Sequence, residues 1–353
     1  MSKFLSEKYK GFEAYVPGEQ PQDKKYIKLN TNESPYPPSE GVLKAVNSSE
    51  VADLRLYSDP ECKVLREKIA NLYGVEKDNV YLSNGSDDIL NFAFMAFGEN
   101  GVVFPEISYG FYKVFAELYG IKYEAIPLKD DFSICPADYY GKNKLIVIAN
   151  PNAPTGLILS VEEIKKILDS NPENVVVIDE AYVDFGGESC YKLIKEYNNL
   201  LVVQTFSKSR SMAGARLGFC FAQKEIIDDL NKIKYSTNPY NLNRLTLVAG
   251  AAAIDDNDYF MDNCKKIIET RAYTTEKLTE LGFRVIDSCA NFVFAESDKI
   301  SGAELYEKLK DNGVLIRHFT SDKIKNFNRI TIGTMEEMTE FIKVTSKILE
   351  EKL

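Results

Sequence analysis

The sequence predicts an α/β protein with a mostly parallel seven-stranded sheet in a large domain, followed by a smaller C-terminal α/β domain. Three observations carry this. Between about residues 78 and 222, short apolar runs alternate with helical patterns, the signature of a parallel sheet covered on both faces. From about residue 257 the pattern changes to a long, charged amphipathic stretch and then to short strands and helices. The chain has 353 residues, 44% of them hydrophobic, enough for two or three structural units with a substantial core.

Taken in order, residues 1–40 form an N-terminal arm. Positions 15–40 are rich in Pro, Asn, Ser and Gly and read as extended chain. Residues 41–240 form the large domain. Its apolar runs are Val80–Leu82, Val102–Phe104, Tyr123–Ile126, Leu145–Ala149, Val175–Ile178, Leu201–Gln204 and Leu217–Phe221. Helical patterns between them cover 86–97, 109–119 and 161–169. Residues 241–353 form the small domain. It holds the amphipathic helix 257–282, strands at Arg284–Ile286 and Asn291–Ala295, a helix at 301–312, strands near Val314–Arg317 and Arg329–Ile332, and a last helix at 335–351.

The net charge of −10 argues against nucleic acid or an anionic membrane as a partner, so an anionic ligand must be held by local Arg and Lys groups. The six cysteines are scattered with no C-x-x-C pair, which points away from disulfides and zinc; no metal is expected. The N-terminus shows no secretory h-region and no apolar run reaches membrane-spanning length, so a cytoplasmic location is expected. The only histidine, His318, reads as a surface or packing residue, and its isolation makes His-based triads and HExxH chemistry improbable.

Ligands of open parallel sheets bind beyond the carboxyl ends of the strands, so the residues after each apolar run are the informative ones. After Leu82 comes Ser83-Asn84-Gly85-Ser86-Asp87-Asp88, opening a helix. Its free N–H groups suit an anion, although in isolation a plain N-cap by Ser86 or Asp87 is the better explanation of the residues. After Ala149 comes the rigid turn Asn150-Pro151-Asn152-Ala153-Pro154-Thr155-Gly156. After Ile178 comes Asp179-Glu180-Ala181-Tyr182; an Asp at a buried strand end needs a cationic partner, for which a protonated ring nitrogen would serve, or caps a helix. After Gln204 comes Thr205-Phe206-Ser207-Lys208, continuing to Arg216 and Gly218. A partly desolvated lysine there is a usable nucleophile toward an aldehyde.

The four segments in order, N-G-S-D, N-P-N-x-P-T-G, D-E-A-Y and S-K-x-x-x-x-A-G-x-R-x-G, resemble the fold-type I aminotransferases that carry pyridoxal 5′-phosphate (PLP). The resemblance runs from Tyr15 to Arg329. More narrowly, A-Y-V-P-G at Tyr15, K-L-N-T-N-E-S-P, R-L-Y at Tyr57 and N-R-I-T-I-G-T resemble the histidinol-phosphate aminotransferase family. Two departures stand out: Ser34 replaces the family's second Asn, and Ile107-Ser108 replaces its Pro-Thr before Tyr109.

The resemblance implies roles. Lys208 would hold the cofactor as a Schiff base and shuttle the proton. Asp179 would pair with the pyridinium nitrogen, Tyr182 and Asn152 with the phenolic oxygen, and Tyr109 would stack on the ring. Ser86, Asp87, Ser207 and Arg216 would hold the phosphate, joined by Tyr57 from the partner of a homodimer. Tyr15, Asn32, Arg317 and Arg329 would bind an anionic substrate. The implied reaction is transamination between L-histidinol phosphate and 2-oxoglutarate in histidine biosynthesis. A threonine-phosphate decarboxylase, an aminotransferase for aromatic or other amino acids, and a non-catalytic binding protein on the same fold are the rival readings. Nicotinamide and P-loop nucleotide binding are disfavoured, since neither G-x-G-x-x-G nor G-x-x-x-x-G-K-[ST] occurs.

Overall fold

The computed structural model describes residues 5–351. Thirteen strands are labelled in chain order. They are β1 (Ile27–Lys28), β2 (Val80–Ser83), β3 (Val102–Pro105), β4 (Tyr123–Ile126), β5 (Leu145–Ala149), β6 (Val176–Asp179), β7 (Leu200–Thr205), β8 (Gly218–Phe221), β9 (Phe283–Ile286), β10 (Phe292–Ser297), β11 (Val314–Leu315), β12 (Arg317–His318) and β13 (Asn328–Thr331).

The large sheet has seven strands in the order β2-β8-β7-β6-β5-β3-β4. Only β8 runs against the rest, pairing antiparallel with both β2 and β7. The apolar runs of the sequence are thus strands, and their continuity has a cause: both faces are covered. In β5 to β7, Ile146, Ile148, Val176, Ile178, Leu200 and Val202 enter one core, while Leu145, Val147, Val177, Leu201 and Val203 enter the other. The helices on these faces are Ser86–Phe97, Phe111–Tyr119 and Val161–Asp169, the last started by a Ser160–Glu163 capping box.

A second sheet, ordered β12-β13-β10-β9, is antiparallel and packs under the helices Asn257–Glu280, Gly302–Asp311 and Met335–Glu350. The single strand expected at Val314–Arg317 is two. Val314 and Leu315 pair with Ile27 and Lys28 of the arm, and after the buried Ile316 the chain switches to pair Arg317 with Arg329. The arm thereby becomes part of the small domain's framework.

Between residues 244 and 280 the chain passes from one core to the other. The helix Arg244–Asp255 packs on Glu40–Ala45 and Lys63–Tyr73, and its Ala249, Ala253 and Ile254 belong to a core of the large sheet. In the long helix, Phe260 still packs in that core, whereas Cys264, Ile267 and Leu278 pack in the small one. No helix among the described residues is long and apolar enough to cross a membrane.

One contact ties the sheet to the turn after β2. A Cβ on Gly218 would lie 2.4 Å from both the Gly85 carbonyl carbon and the Ser86 nitrogen. Both are backbone atoms, so Gly218→Ala must push β8 and the turn apart. The expected loss is about 1–3 kcal/mol of stability, read as a lower urea midpoint at unchanged slope.

Candidate active site

The carboxyl ends of β2, β5, β6 and β7 and the amino end of β8 meet at one edge of the large sheet. Ser83 and Thr205 are both in register with Gly218, and Ala149 with Asp179. A cavity of ≈ 360 Å³ opens there, a volume suited to a small cofactor. Eight of the expected residues line it: Ser86, Asp87, Tyr109, Asp179, Tyr182, Ser207, Lys208 and Arg216. An adjoining cavity of ≈ 450 Å³ shares Tyr109, Tyr182 and Lys208 and adds Tyr15, Asn32, Arg317 and Arg329.

At the β2 end, the helix Ser86–Phe97 is capped by Gly85, at φ +79°, with no side-chain hydrogen bond to its first turn. Capping by Ser86 or Asp87 does not occur. Asp88 instead turns back to accept from Ser83 Oγ at 2.6 Å and from the Asn84 N–H at 3.3 Å. The first amides therefore face the cavity with the positive end of the helix dipole behind them. Asp87 accepts from Tyr109 Oη at 2.8 Å and forms an ion pair with Arg216 at 3.2 Å. Arg216 itself has φ +52° and passes so close to Gly85 that a Cβ there would meet Nη2 at 2.6 Å.

After β5, Asn152 is buried and lines neither cavity. Its amide donates to the Ile107 carbonyl at 3.0 Å and to Thr155 Oγ1 at 3.1 Å, while its Oδ1 accepts from Ser108 Oγ at 2.8 Å. Both amide protons are engaged, so donation to a cofactor oxygen requires the Thr155 bond to open. The departure residue Ser108 sets this orientation.

After β6, the Asp179 carboxylate is 5% exposed and faces the cavity. Tyr112 Oη donates to its Oδ2 at 2.8 Å and the Ala181 N–H to its Oδ1 at 3.2 Å. Burial pushes its pKa up to about 6, against the pull of those donors. Tyr182 accepts from Asn32 Nδ2 at 3.0 Å through its hydroxyl. Asn32, at φ +55°, is fixed by Thr331 and by Asn291 Nδ2.

Lys208 lies just beyond β7, half-buried, with its Nζ 3.3 Å from the Thr31 carbonyl and 5.8 Å from the centre of the Tyr182 ring. In the second cavity Arg317 and Arg329 are opposed across β12 and β13. Arg329 donates to the Asn30 carbonyl at 3.0 Å and lies over the Phe292 ring, yet its buried Nε has no partner among the described residues. Burial lowers its pKa, the mark of a cation short of counter-charge.

Besides Asn152, the expected residue Tyr57 stands apart, as does His318, which the sequence reads as a surface or packing residue. Tyr57 is 81% exposed, away from both cavities, and stacks on Tyr240 at 4.4 Å. His318 also lines neither cavity; it stacks on Tyr306 and meets Asn328 Oδ1 at 3.1 Å. Three residues were missed from sequence: Gln20 and Glu33, which line the first cavity, and Tyr112. Glu33 lies in the K-L-N-T-N-E-S-P segment already singled out, and Gln20 lies two residues beyond A-Y-V-P-G. Tyr112 carried no signal beyond an apolar helical position.

The profile of the family "Aminotransferase class I and II" matches residues 24–344. The histidinol-phosphate aminotransferase of Brachyspira hyodysenteriae is 53% identical over 99% of this chain and 100% of its own length. Among solved structures, the histidinol-phosphate aminotransferase of Clostridium acetobutylicum superposes with a TM-score of 0.85 at 25% identity, covering 92% of this chain and 99% of that one. That of Sinorhizobium meliloti, solved in complex with pyridoxal-5′-phosphate, superposes with a TM-score of 0.85 at 23% identity, covering 93% and 92%. With its profile matched over most of its length and its sheet edge built for one small anionic cofactor, this chain belongs to the class I and II aminotransferases.

Proposed function

We propose that this chain is a PLP-dependent aminotransferase that exchanges the amino group of L-histidinol phosphate with 2-oxoglutarate, as a step of histidine biosynthesis. The observation that carries it is a pair of adjoining cavities that bring together three chemically distinct features: a helix-start anion cradle, a buried carboxylate and a pair of opposed arginines.

The donor set fits PLP. The amides at Ser86 and Asp87, with Ser207 and Arg216, would hold its phosphate, and the close approach of Gly85 and Gly218 keeps that cradle open. Asp179 would face the ring nitrogen and keep it protonated; Tyr109 would cover one ring face. Bound there, the cofactor supplies an electron sink conjugated to the substrate's amino-bearing carbon. Lys208 would hold the cofactor at its aldehyde carbon and would serve as the base and acid that carries the proton of the substrate's amino-bearing carbon. Tyr182, with Asn152 once its Thr155 bond opens, would hold the phenolic oxygen. Arg317 and Arg329 would receive the donor's phosphate in one half-reaction and the oxo acid's carboxylate in the other, with Tyr15 and Asn32 closing the pocket.

The exposed Tyr57, set among exposed Leu43, Val51, Leu54, Leu56 and Val64, supports a homodimer in which it reaches the partner's phosphate cradle. A cytoplasmic location is part of the same reading.

The deciding experiment mixes PLP-loaded protein with L-histidinol phosphate and, separately, with L-threonine phosphate. Conversion of the cofactor to pyridoxamine phosphate by the first, reversed by 2-oxoglutarate, is the expected result. Release of CO₂ from the second, with the cofactor returned unchanged, would overturn it. Lys208→Ala should abolish multiple turnover; a variant that still cycles removes the lysine from its role.

Asp179→Asn should lower kcat by several orders of magnitude, and a loss below about tenfold, roughly 1.4 kcal/mol, contradicts the ring-nitrogen assignment. The same substitution should stabilise the cofactor-free chain. The folded carboxyl sits at about 6, above its ordinary 3.8, so ionisation costs native stability: the cost is absent below about pH 4, grows through the window between, and is fully present above pH 6. A gain of about 1–2 kcal/mol at pH 8 that fades by pH 4, followed by urea melts, is expected.

A further inference from the structure

Tyr112 lies on the helix Phe111–Tyr119, three residues after Tyr109, with no exposed surface. Its hydroxyl is the only side-chain donor to Asp179 among the described residues, at 2.8 Å. The Ala181 N–H holds the other oxygen. One donor on each oxygen fixes the carboxylate's plane as well as its position. Each oxygen keeps further acceptor capacity, and Asp179 borders the cavity. The Tyr112 ring also meets the Tyr109 ring edge to face, with centroids 5.7 Å apart at 85°. One side chain thus braces both the carboxylate and the aromatic wall beside it.

We propose that Tyr112 is a positioning residue that holds Asp179 ionised and aimed at the cofactor's ring nitrogen while setting the tilt of Tyr109. The inference rests on the assignment of Asp179 in the proposed function. Its chemistry is one-directional. Burial and the adjacent Asp179 charge push the Tyr112 phenol well above its ordinary range, so it stays a donor throughout the working pH range. The other groups acting on Asp179 oppose one another: Asp87 raises its pKa and Lys208 lowers it. The phenol's hydrogen bond is therefore the side-chain interaction that favours the charged form most.

The test uses Tyr112→Phe, which keeps the buried ring, and site-specific 3-fluorotyrosine at 112, which keeps the shape and strengthens the donor. In the cofactor-free full-length chain, ¹³C-labelled aspartate reports the Asp179 midpoint, assigned by its loss in Asp179→Asn. Tyr112→Phe should move that midpoint upward by about one pH unit, and 3-fluorotyrosine should move it down. The phenylalanine variant should bind PLP about tenfold more weakly and lose about tenfold in kcat, with KM changed less than about twofold. A midpoint and a PLP affinity unmoved by either substitution would overturn the inference and leave Tyr112 a packing residue. If that happens while Asp179→Asn still collapses the rate, the ring-nitrogen assignment stands without it. If Asp179→Asn is also silent, the assignment itself has failed. Should Tyr112→Phe not fold, the fluorotyrosine arm decides alone.

Discussion

A carboxylate buried at the end of a parallel strand is costly unless something compensates it, and the architecture around Asp179 is arranged about that cost. β6 lies near the middle of a sheet covered on both faces, so its last residue cannot reach bulk water. Tyr112 and the Ala181 N–H relieve the charge in part. Lys208 also borders the cavity, but its Nζ lies against the Thr31 carbonyl and forms no ion pair with Asp179 among the described residues. In the proposed assignment a protonated cofactor nitrogen would supply the missing charge, so the interaction that makes the site reactive would also offset the cost of burying Asp179. Cofactor binding and folding are thereby linked, because a ligand that binds only the folded state stabilises it.

The remaining parts of the site come from distant stretches of chain, and backbone geometry brings them together. β8 runs antiparallel so that its first residue, Gly218, meets the turn at Gly85 and Ser86. That contact sets how far the helix start stands from Arg216. The arm contributes from the other side. β1 pairs with β11, Thr331 and Asn291 grip Asn32, and Asn32 in turn donates to Tyr182. The small domain thus reaches the large domain's cavity through the arm, whose Asn32 carries the contact on to Tyr182.

Much of this was legible in the sequence. Strands buried on both faces leave continuous apolar runs, and a ligand edge puts its polar residues directly after them, which is why Asp179, Lys208 and the Gly85 turn stood out. The arginines of the second cavity could be named only by resemblance, because nothing in their spacing shows that Arg317 and Arg329 sit opposite each other on paired strands. The change of partners at Ile316 was invisible for the same reason: Val314 to Arg317 reads as one strand whichever sheet receives it. Helix Arg244–Asp255 carries an alternation of small and apolar residues that says it is buried but not against which core. Tyr112 was missed because a tyrosine on the apolar face of a helix looks like packing until its hydroxyl is seen to end at Asp179.

The neighbouring acids Asp179 and Glu180 show how a site is distinguished from a well-satisfied core. Burial raises both, Asp179 to about 6 and Glu180 to about 7. Glu180 accepts from Ser189 Oγ, from the Cys190 N–H at 2.7 Å and from Gln204 Nε2 at 2.9 Å, and it borders neither cavity. Its hydrogen bonds are used up in tying the loop before Cys190 to β7. Asp179 has fewer donors and an open side, and that open side faces the space where a ring nitrogen fits. A perturbed pKa alone would not have separated the two acids, since burial raises both. What separates them is the unfilled hydrogen-bonding capacity of Asp179, left where it borders the cavity that the Ser86 turn also lines, next to the cavity that holds Arg329.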